Sequence, residues 1–334
     1  AVQATLYGDG GAYASLSDKV LTRATTHASG PYDVPNVKVD CFATYTNNVP
    51  CGAFRGFGVS QSCFAVESNM DILAARLDVD PIDFRRMNAL EVGSTTATGQ
   101  VMRESVGLHE CMDRVTRDLR GEDFRWSWED GHRRYAWGLA IGYKNTGLGG
   151  GAPDKATAEV EAWHDTEKGL VAEVRISSAE MGQGLPGVLA SCAAEELGIA
   201  TENVNVLLGD TDVCPDGGPT TASRQTFVSG NAARHAARDA AQLLADAPGK
   251  RVVARHEYWA PKTQPLGTGG DMHVAFSFAV QAALCEIDMR TGGVEVRKII
   301  AAHDVGRAIN PLTLEGQIEG GIVMCIGYAL TEHY

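Results

Sequence analysis

Hydrophobic residues alternate with polar ones, or recur at helical spacing, over most of the chain. Residues 170–176 alternate apolar and polar positions and predict a half-buried strand. A helix is predicted from Pro186 to Gly198, because its apolar residues share one side and a glycine is a common C-cap. The same patterns predict further strands at residues 2–7 and 204–208 and further helices at residues 63–77, 230–244 and from Pro311 onward.

A polar, loop-rich stretch at residues 91–135 indicates where the chain divides. We therefore expect a first domain at residues 1–135 and a second at residues 136–334. The chain opens directly into a predicted strand and stops just after a predicted helix. Both ends are therefore expected to be cuts through a larger protein or a split subunit.

Composition and charge exclude several classes of function. A net charge of −13 argues against a surface for nucleic acid or anionic membranes, which needs clustered lysine and arginine. Eight scattered cysteines without a Cys-x-x-Cys pair predict no zinc or iron–sulfur site in this chain, and reduced thiols indicate a cytoplasmic location. No apolar run reaches membrane-spanning length, and the first residues do not resemble a signal peptide.

Two loops carry residues suited to binding a ligand. In residues 180–186, two glycines flank Gln183, so the backbone can approach a ligand while an amide forms hydrogen bonds. The following helix start adds a field that favours anions. Residues 220–225 combine hydroxyls and an amide, which suit phosphate or pterin heteroatoms. An ordinary turn and an ordinary Ser/Thr N-cap are the respective alternatives.

A third candidate segment holds aromatic residues and an arginine between glycines. Phe57 could stack on a planar substrate, and Arg55 could bind an anionic oxygen. Packing of Phe54 and Phe57 in the core is the alternative.

Five motifs follow one another along the chain. They lie at residues 52–58 with Gln61, residues 180–185, residues 220–223, residues 304–306 with 310–311, and residues 317–320. In this order they resemble the molybdenum-cofactor-binding subunit of the xanthine dehydrogenase and aldehyde oxidase family, the molybdenum hydroxylases. The resemblance covers essentially the whole chain and is greatest to bacterial purine hydroxylases. It implies an α+β fold of mixed-sheet molybdopterin-binding domains, incomplete at both ends.

The resemblance also implies roles for individual residues. Gln183 is similar to the family's contact with the pterin and the molybdenum oxo group, so it would lie near the metal without ligating it. Met181, Gly182 and Gly184 belong to the same contact. The loop expected to hold the pterin phosphate and dinucleotide carries Thr221, Ala222, Ser223 and Gln225.

Catalytic residues are implied in the first half of the chain. Phe54 and Arg55 resemble the cofactor side of the Phe-Arg-Gly-Phe-Gly motif, and Phe57 resembles the aromatic that packs on the substrate ring. Arg23 matches the arginine with which xanthine-type enzymes stabilise negative charge on a purine, with a solvated arginine as the alternative. The family's general-base glutamate lies in a motif that this chain does not contain.

The implied reaction is hydroxylation of a xanthine- or hypoxanthine-type purine with water as the oxygen source. Molybdopterin, in its cytosine dinucleotide form and with molybdenum, is the expected cofactor. Iron–sulfur and FAD domains or subunits, together with the missing parts of the molybdenum subunit, are the expected partners, so this chain alone should not turn over. The alternatives are hydroxylation of another nitrogen heterocycle such as nicotinate, or of an aldehyde, and a cofactor-free structural fragment.

Overall fold

The computed structural model describes residues 1–121 and 123–332, so the last two residues of the predicted second domain lie outside the described residues. The strands are β1 (Val2–Asp9), β2 (Val37–Thr44), β3 (Ser127–Asp130), β4 (Arg133–Thr146), β5 (Lys155–Asp165), β6 (Gly169–Ile176), β7 (Val204–Leu208), β8 (Val252–Trp259), β9 (Ala275–Asp288) and β10 (Val294–Asp304). The helices are α1 (Ser17–Thr26), α2 (Val59–Leu77), α3 (Pro81–Asn88), α4 (Leu108–Leu119), α5 (Leu185–Leu197), α6 (Gly230–Asp246) and α7 (Pro311–Leu330).

The predicted strands and helices are confirmed, and local chemistry explains their ends. The Asp80 side chain accepts the N–H of Ile82 at 2.9 Å and so caps α3, with proline in the first turn. Asn310 caps α7 in the same way, and Gly198 ends α5 in a left-handed conformation. The α+β class predicted from the sequence is therefore confirmed.

The chain forms two compact units that are not consecutive halves. Unit 1 contains residues 1–144, 267–271 and 276–305, and unit 2 contains residues 145–266, 272–275 and 306–334. The predicted boundary after residue 135 falls inside β4. A strand pair late in the sequence thus belongs to the first unit, because β9 lies beside β4 in one sheet.

Unit 1 combines a parallel pair, β1 and β2, with the sheet ordered β10-β9-β4-β3. One hydrophobic core of this unit includes Ile82, Leu108 and Met112 from α3 and α4, packed with Ile141 and Val280 from the four-stranded sheet. Burial of such side chains is the main stabilising contribution in a core of this kind.

Unit 2 is built on the mixed sheet ordered β7-β6-β5-β8, in which β5 is antiparallel to β6 and β8 while β6 and β7 are parallel. Alanines of α6 pack closely on alanines of β5, and Leu189 of α5 joins them in the core. The loop after β6 and the loop before α6 carry the predicted ligand-binding residues. Over the described residues, no helix is both long and apolar enough to cross a membrane.

Candidate functional site

The loop between β6 and α5 is organised around the carboxylate of Glu180. This carboxylate accepts the backbone N–H groups of Gly182 at 2.6 Å, Gly184 at 3.1 Å and Leu185 at 2.7 Å. Burial would raise the pKa of Glu180, but the bonds from these N–H groups outweigh it and lower the pKa below its usual value. The start of α5 therefore already holds an anion, and the idea that this helix end attracts a ligand anion must be corrected.

Gln183 is also held within its own loop. Its side-chain oxygen accepts the N–H of Met181 at 2.7 Å, and its amide nitrogen donates to the carbonyl of Ala179 at 2.9 Å. Gly182 and Gly184 have φ angles of 98° and 79°, which glycine adopts without strain. Met181, 69% exposed, and Gly182 form the outer side of a rigid loop.

The second predicted loop lies against the first. The hydroxyl of Thr220 accepts the N–H of Ala179 at 2.9 Å and also receives the side-chain amide of Gln225 at 2.8 Å. The buried oxygen of Gln225 accepts the hydroxyl of Ser178 at 3.0 Å. Gln225 therefore supports the loop from beneath, while Thr221 and Ser223 are exposed on it.

Backbone strain is concentrated at predicted site residues. Among the non-glycine residues that the structure describes, positive φ angles occur at Phe57, Asp78, Ala222 and Ser223. Asp78 ends a helix, where this conformation is common. The other three are residues that the sequence assigned to substrate or cofactor. A left-handed conformation costs such residues on the order of 1 kcal/mol, and such strain is typical of functional sites.

The helix predicted over residues 230–244 is confirmed as α6. Residues Gln225–Ser229, directly before it, form one π-helical turn. Turns of this kind often occur at functional sites, and the hydrophobic pattern of α6 gives no sign of this one.

In unit 1, the Phe-Arg-Gly-Phe-Gly turn packs directly on α1. A side chain at Gly58 would lie 2.2 Å from the carbonyl oxygen of Val20, so only glycine fits there. Arg23 lies on the same helix, one residue before Ala24, whose nitrogen is 3.1 Å from that position. The structure thus brings the helix that bears Arg23 against the turn that bears Phe54, Arg55 and Phe57.

The charge of Arg23 acts on a neighbouring basic residue, Lys144. Burial lowers the pKa of Arg23, and burial together with the Arg23 charge lowers the pKa of Lys144 to about 7. The backbone of α1 is held here by His27, whose Nδ1 lies 3.0 Å from the Arg23 carbonyl oxygen and whose ring is tilted against that of Tyr143 at a centroid distance of 4.8 Å. Lys144 had no predicted role, because nothing local in the sequence distinguishes it.

Three further residues shape the loops of unit 2 but were not predicted as site residues. Glu180 and Gln317 lie within motifs of the sequence, so their roles could have been suspected. Gln317 on α7 donates its side-chain amide to the Gly182 carbonyl at 3.1 Å. Arg224 is fully buried beneath the second loop, and sequence gives no signal that separates it from a solvated arginine.

These loops can bind an anionic, hydrogen-bonding ligand but show no metal-ligand set. The described residues contain no group of three or more His, Cys, Asp or Glu side chains arranged to hold a metal ion. What unit 2 offers a ligand is the exposed hydroxyl groups of Thr221 and Ser223 on the second of two mutually braced loops. Hydroxyl groups both donate and accept, so they suit phosphate oxygens and pterin oxygens and nitrogens.

Comparisons with known proteins agree with this chemistry. A family model described as a molybdopterin cofactor-binding domain matches residues 1–89, and a second model with the same description matches residues 110–257 and 240–334. A Bacillus subtilis protein whose name describes it as probably part of a xanthine dehydrogenase is 29% identical over 376 residues, which cover 98% of this chain and 48% of that protein.

Two further similar proteins are named for different substrates, nicotinate and aldehydes. The nicotinate dehydrogenase large molybdopterin subunit of Eubacterium barkeri is 54% identical over 115 residues, which cover 34% of this chain and 27% of that protein. The crystal structure of the aldehyde oxidoreductase from Desulfovibrio desulfuricans is similar with a TM-score of 0.85 and 27% identity, covering 98% of this chain and 37% of that one. The chain therefore spans less than half the length of these relatives.

Proposed function

Because the chain belongs to the molybdopterin cofactor-binding domain family, we propose that it is the molybdopterin-binding part of an oxidoreductase. One structural observation supports this proposal independently of family membership. The strained residues Phe57, Ala222 and Ser223 are residues to which the motifs assign substrate or cofactor contacts. Strain at these positions is retained because the surrounding structure holds it, which supports a binding role.

The residues present fit the cofactor. Thr221 and Ser223 offer exposed hydroxyls, and a side chain built on Gly182 would meet no atom of the described residues within 4 Å, so a flat ligand could approach the backbone there. When bound, the molybdenum cofactor would supply two-electron redox chemistry and an activated water-derived oxygen. The chain's own part is to hold the pterin and its phosphate and to keep the Gln183 loop rigid.

The reaction that we propose is hydroxylation of a purine of the xanthine or hypoxanthine type. A ring C–H becomes C–OH with oxygen from water, and two electrons and two protons are released to an acceptor. Arg23 would stabilise the negative charge that develops on the heterocycle. Phe57 would pack on the ring, and Arg55 would bind on the cofactor side.

Nicotinate is a second candidate substrate, favoured by a specific observation. The relative named for nicotinate dehydrogenase is 54% identical over the 115 residues that it shares with this chain. Arg23 and the neighbouring Lys144, whose pKa of about 7 would be raised by a bound carboxylate, would also suit a ring that carries one.

The remaining parts of the enzyme are also proposals. We propose the cytosine dinucleotide form of the cofactor, a cytoplasmic location, and electron transfer through iron–sulfur and FAD domains or subunits. We propose that the general-base glutamate is supplied by another segment of the complete enzyme, one that carries the family motif missing from this chain.

The test is made on the complete molybdenum enzyme purified from its native host. Molybdenum and pterin are quantified, and hydroxylation of xanthine, hypoxanthine and nicotinate is followed with a dye acceptor. Stoichiometric molybdenum with purine turnover supports the first proposal, and turnover of nicotinate alone would replace it with the second. Absence of molybdenum and pterin would overturn both.

The variant Arg23→Met separates the role of the arginine from that of the fold. We expect purine turnover to fall at least about 100-fold, because a fixed cation at developing charge contributes roughly 3 kcal/mol. Arg117→Met, at an exposed position on α4, is the matched control and should leave turnover within a factor of about two. Equal activity of both variants would exclude Arg23 from catalysis.

A further inference from the structure

The guanidinium of Arg224 is buried beneath the loop of unit 2 that carries the predicted cofactor residues. Its side chain is 0% exposed, and its Nε donates to Asp154 at 2.6 Å. Its Nη1 donates to the carbonyls of Gly217 and Pro219, both at 2.9 Å. Its Nη2 donates to the carbonyl of Lys155 at the start of β5. One side chain therefore ties the loop to the sheet through three backbone carbonyls and a carboxylate.

Asp154 extends this connection to a second loop, the glycine-rich segment at residues 147–151. Its other oxygen accepts the N–H of Leu148 at 2.9 Å. The N–H of Gly147 in turn donates to the carbonyl of Ala222 at 3.0 Å. The ion pair and these two bonds thus form a closed link between the glycine-rich segment and the strained loop.

The strain lies directly beside the ion pair. Ala222 and Ser223, each with a φ of 52°, immediately precede Arg224, which returns to right-handed helical geometry. The N–H of Arg224 donates to the carbonyl of Thr221 at 3.2 Å, so the strained residues and the arginine belong to one hydrogen-bonded turn. At Gly218, a side chain would lie 2.8 Å from the Lys155 carbonyl oxygen and 2.9 Å from Arg224 Nη2, so the loop lies directly on the guanidinium.

We propose that the buried Arg224–Asp154 pair is a positioning element that holds residues 217–223 in the conformation that binds the anionic part of the pterin cofactor. This inference rests on the proposed function. A buried ion pair adds little net stability compared with apolar packing, but loss of one partner leaves an uncompensated charge that must rearrange. The pair therefore acts through Ala222 and Ser223, and neither Arg224 nor Asp154 touches the ligand.

The test compares two buried arginines in the complete enzyme. Arg224→Met removes the pair, and Arg224→Lys keeps the charge but cannot supply the planar set of bonds. The matched control is Arg85→Met in unit 1, because Arg85 is also 0% exposed and paired with a carboxylate, that of Glu67, at 2.8 Å. Each variant is assayed for thermal unfolding, for hydrogen exchange in the cofactor-depleted form, and for pterin content by fluorescence after oxidation.

The expected result has two independent parts. In Arg224→Met, the amides of Gly147 and Leu148 should exchange at least about tenfold faster, because the bonds that protect them depend on the pair. Arg224→Met and Arg85→Met are compared at temperatures at which the same fraction of each protein is folded. Under that condition, pterin content should fall at least about fivefold in Arg224→Met, whereas Arg85→Met should retain its pterin. Arg224→Lys should lie between wild type and Arg224→Met on both measurements.

Either part can fail separately. Unchanged exchange at Gly147 and Leu148 would show that the pair does not hold the loops and would overturn the inference. Equal pterin loss in Arg224→Met and Arg85→Met would reduce the pair to a general stabilising element and would overturn it as well. A wild-type enzyme without pterin would instead overturn the proposed function, and the inference with it, whatever the exchange result.

Discussion

Replacement of Glu180 by glutamine should loosen the Gly-Gln-Gly loop without unfolding unit 2. The carboxylate accepts three backbone N–H groups, on Gly182, Gly184 and Leu185. A glutamine oxygen could keep the two bonds made by one carboxylate oxygen. Its NH₂ group would then face the N–H of Leu185, so that two donors oppose each other.

The magnitude follows from the bonds that are lost. A hydrogen bond to a charged group contributes roughly 1.5 kcal/mol at the low end, the relevant end here because Glu180 is exposed and water screens its charge. Conversion of the remaining bonds from charged to neutral acceptors removes about 0.5 kcal/mol more. A total of about 2 kcal/mol corresponds to roughly 30-fold faster local opening.

Hydrogen exchange of individual amides measures this opening directly. We expect the amides of Gly184 and Leu185 to exchange roughly 30-fold faster in Glu180→Gln, while amides in the core of α5 keep their protection. The control is Glu195→Gln, on the same helix, because Glu195 pairs with Arg307 rather than with a loop amide. Unchanged exchange at Gly184 and Leu185 in Glu180→Gln would refute the reasoning.

The pH dependence gives a second check on the same carboxylate. The folded-state pKa of Glu180 lies below its ordinary value of 4.5, so the unfolded loop binds a proton first as the pH falls. The stabilisation is therefore fully present above pH 4.5 and is lost as the pH falls through the folded-state pKa. The difference in protection between wild type and Glu180→Gln should accordingly be constant from pH 5 to 7 and should shrink below pH 4.5.

Two further predictions concern charged groups of unit 1. Glu67→Gln should lower the free energy of unfolding by roughly 1.5–3 kcal/mol, because the fully buried Arg85 loses the carboxylate of Glu67, at 2.8 Å, and keeps only that of the half-exposed Asp71, also at 2.8 Å. Denaturant titration measures this, and a loss below about 1 kcal/mol would contradict it. Lys144 has a pKa of about 7 in the fold, so the unfolded chain binds the extra proton between pH 7 and its ordinary pKa of 10.5. The free energy of unfolding of the wild type should therefore rise from pH 7 to 10.5, by up to about 1.4 kcal/mol per pH unit relative to Lys144→Met. If the free energy of unfolding changed with pH equally in the two proteins, the lowered pKa of Lys144 would be refuted.

Local sequence was sufficient for the helices, the strands and the position of the candidate loops. Asp80 before Pro81 and Asn310 before Pro311 predict helix starts because capping bonds reach only two or three residues along the chain. The alternation that predicts β6 likewise depends only on neighbouring residues. Motifs in a fixed order predicted the family for the same reason, since each motif is a short, contiguous set of residues.

The domain division and the loop supports depended on where distant segments meet. No local pattern shows that residues 276–305 return to the sheet of unit 1, because strand pairing across such a separation is decided by the packing of the whole unit. The same limit applies to single side chains. Arg224 and Arg117 are both arginines beside polar residues, yet one is fully buried against Asp154 and the other is exposed.

The sequence by itself determined the family and predicted which residues meet a cofactor, and the tertiary structure decided which contacts each of those residues makes within the fold. The anion-binding start of α5 was predicted from its position, but the fold gives those N–H groups to Glu180. Ala222 and Ser223 have positive φ angles directly beside Arg224, whose partner Asp154 lies 70 residues earlier in the sequence. Hydrogen bonds and ion pairs between residues far apart in sequence depend on three-dimensional distance, which short-range periodicity does not encode.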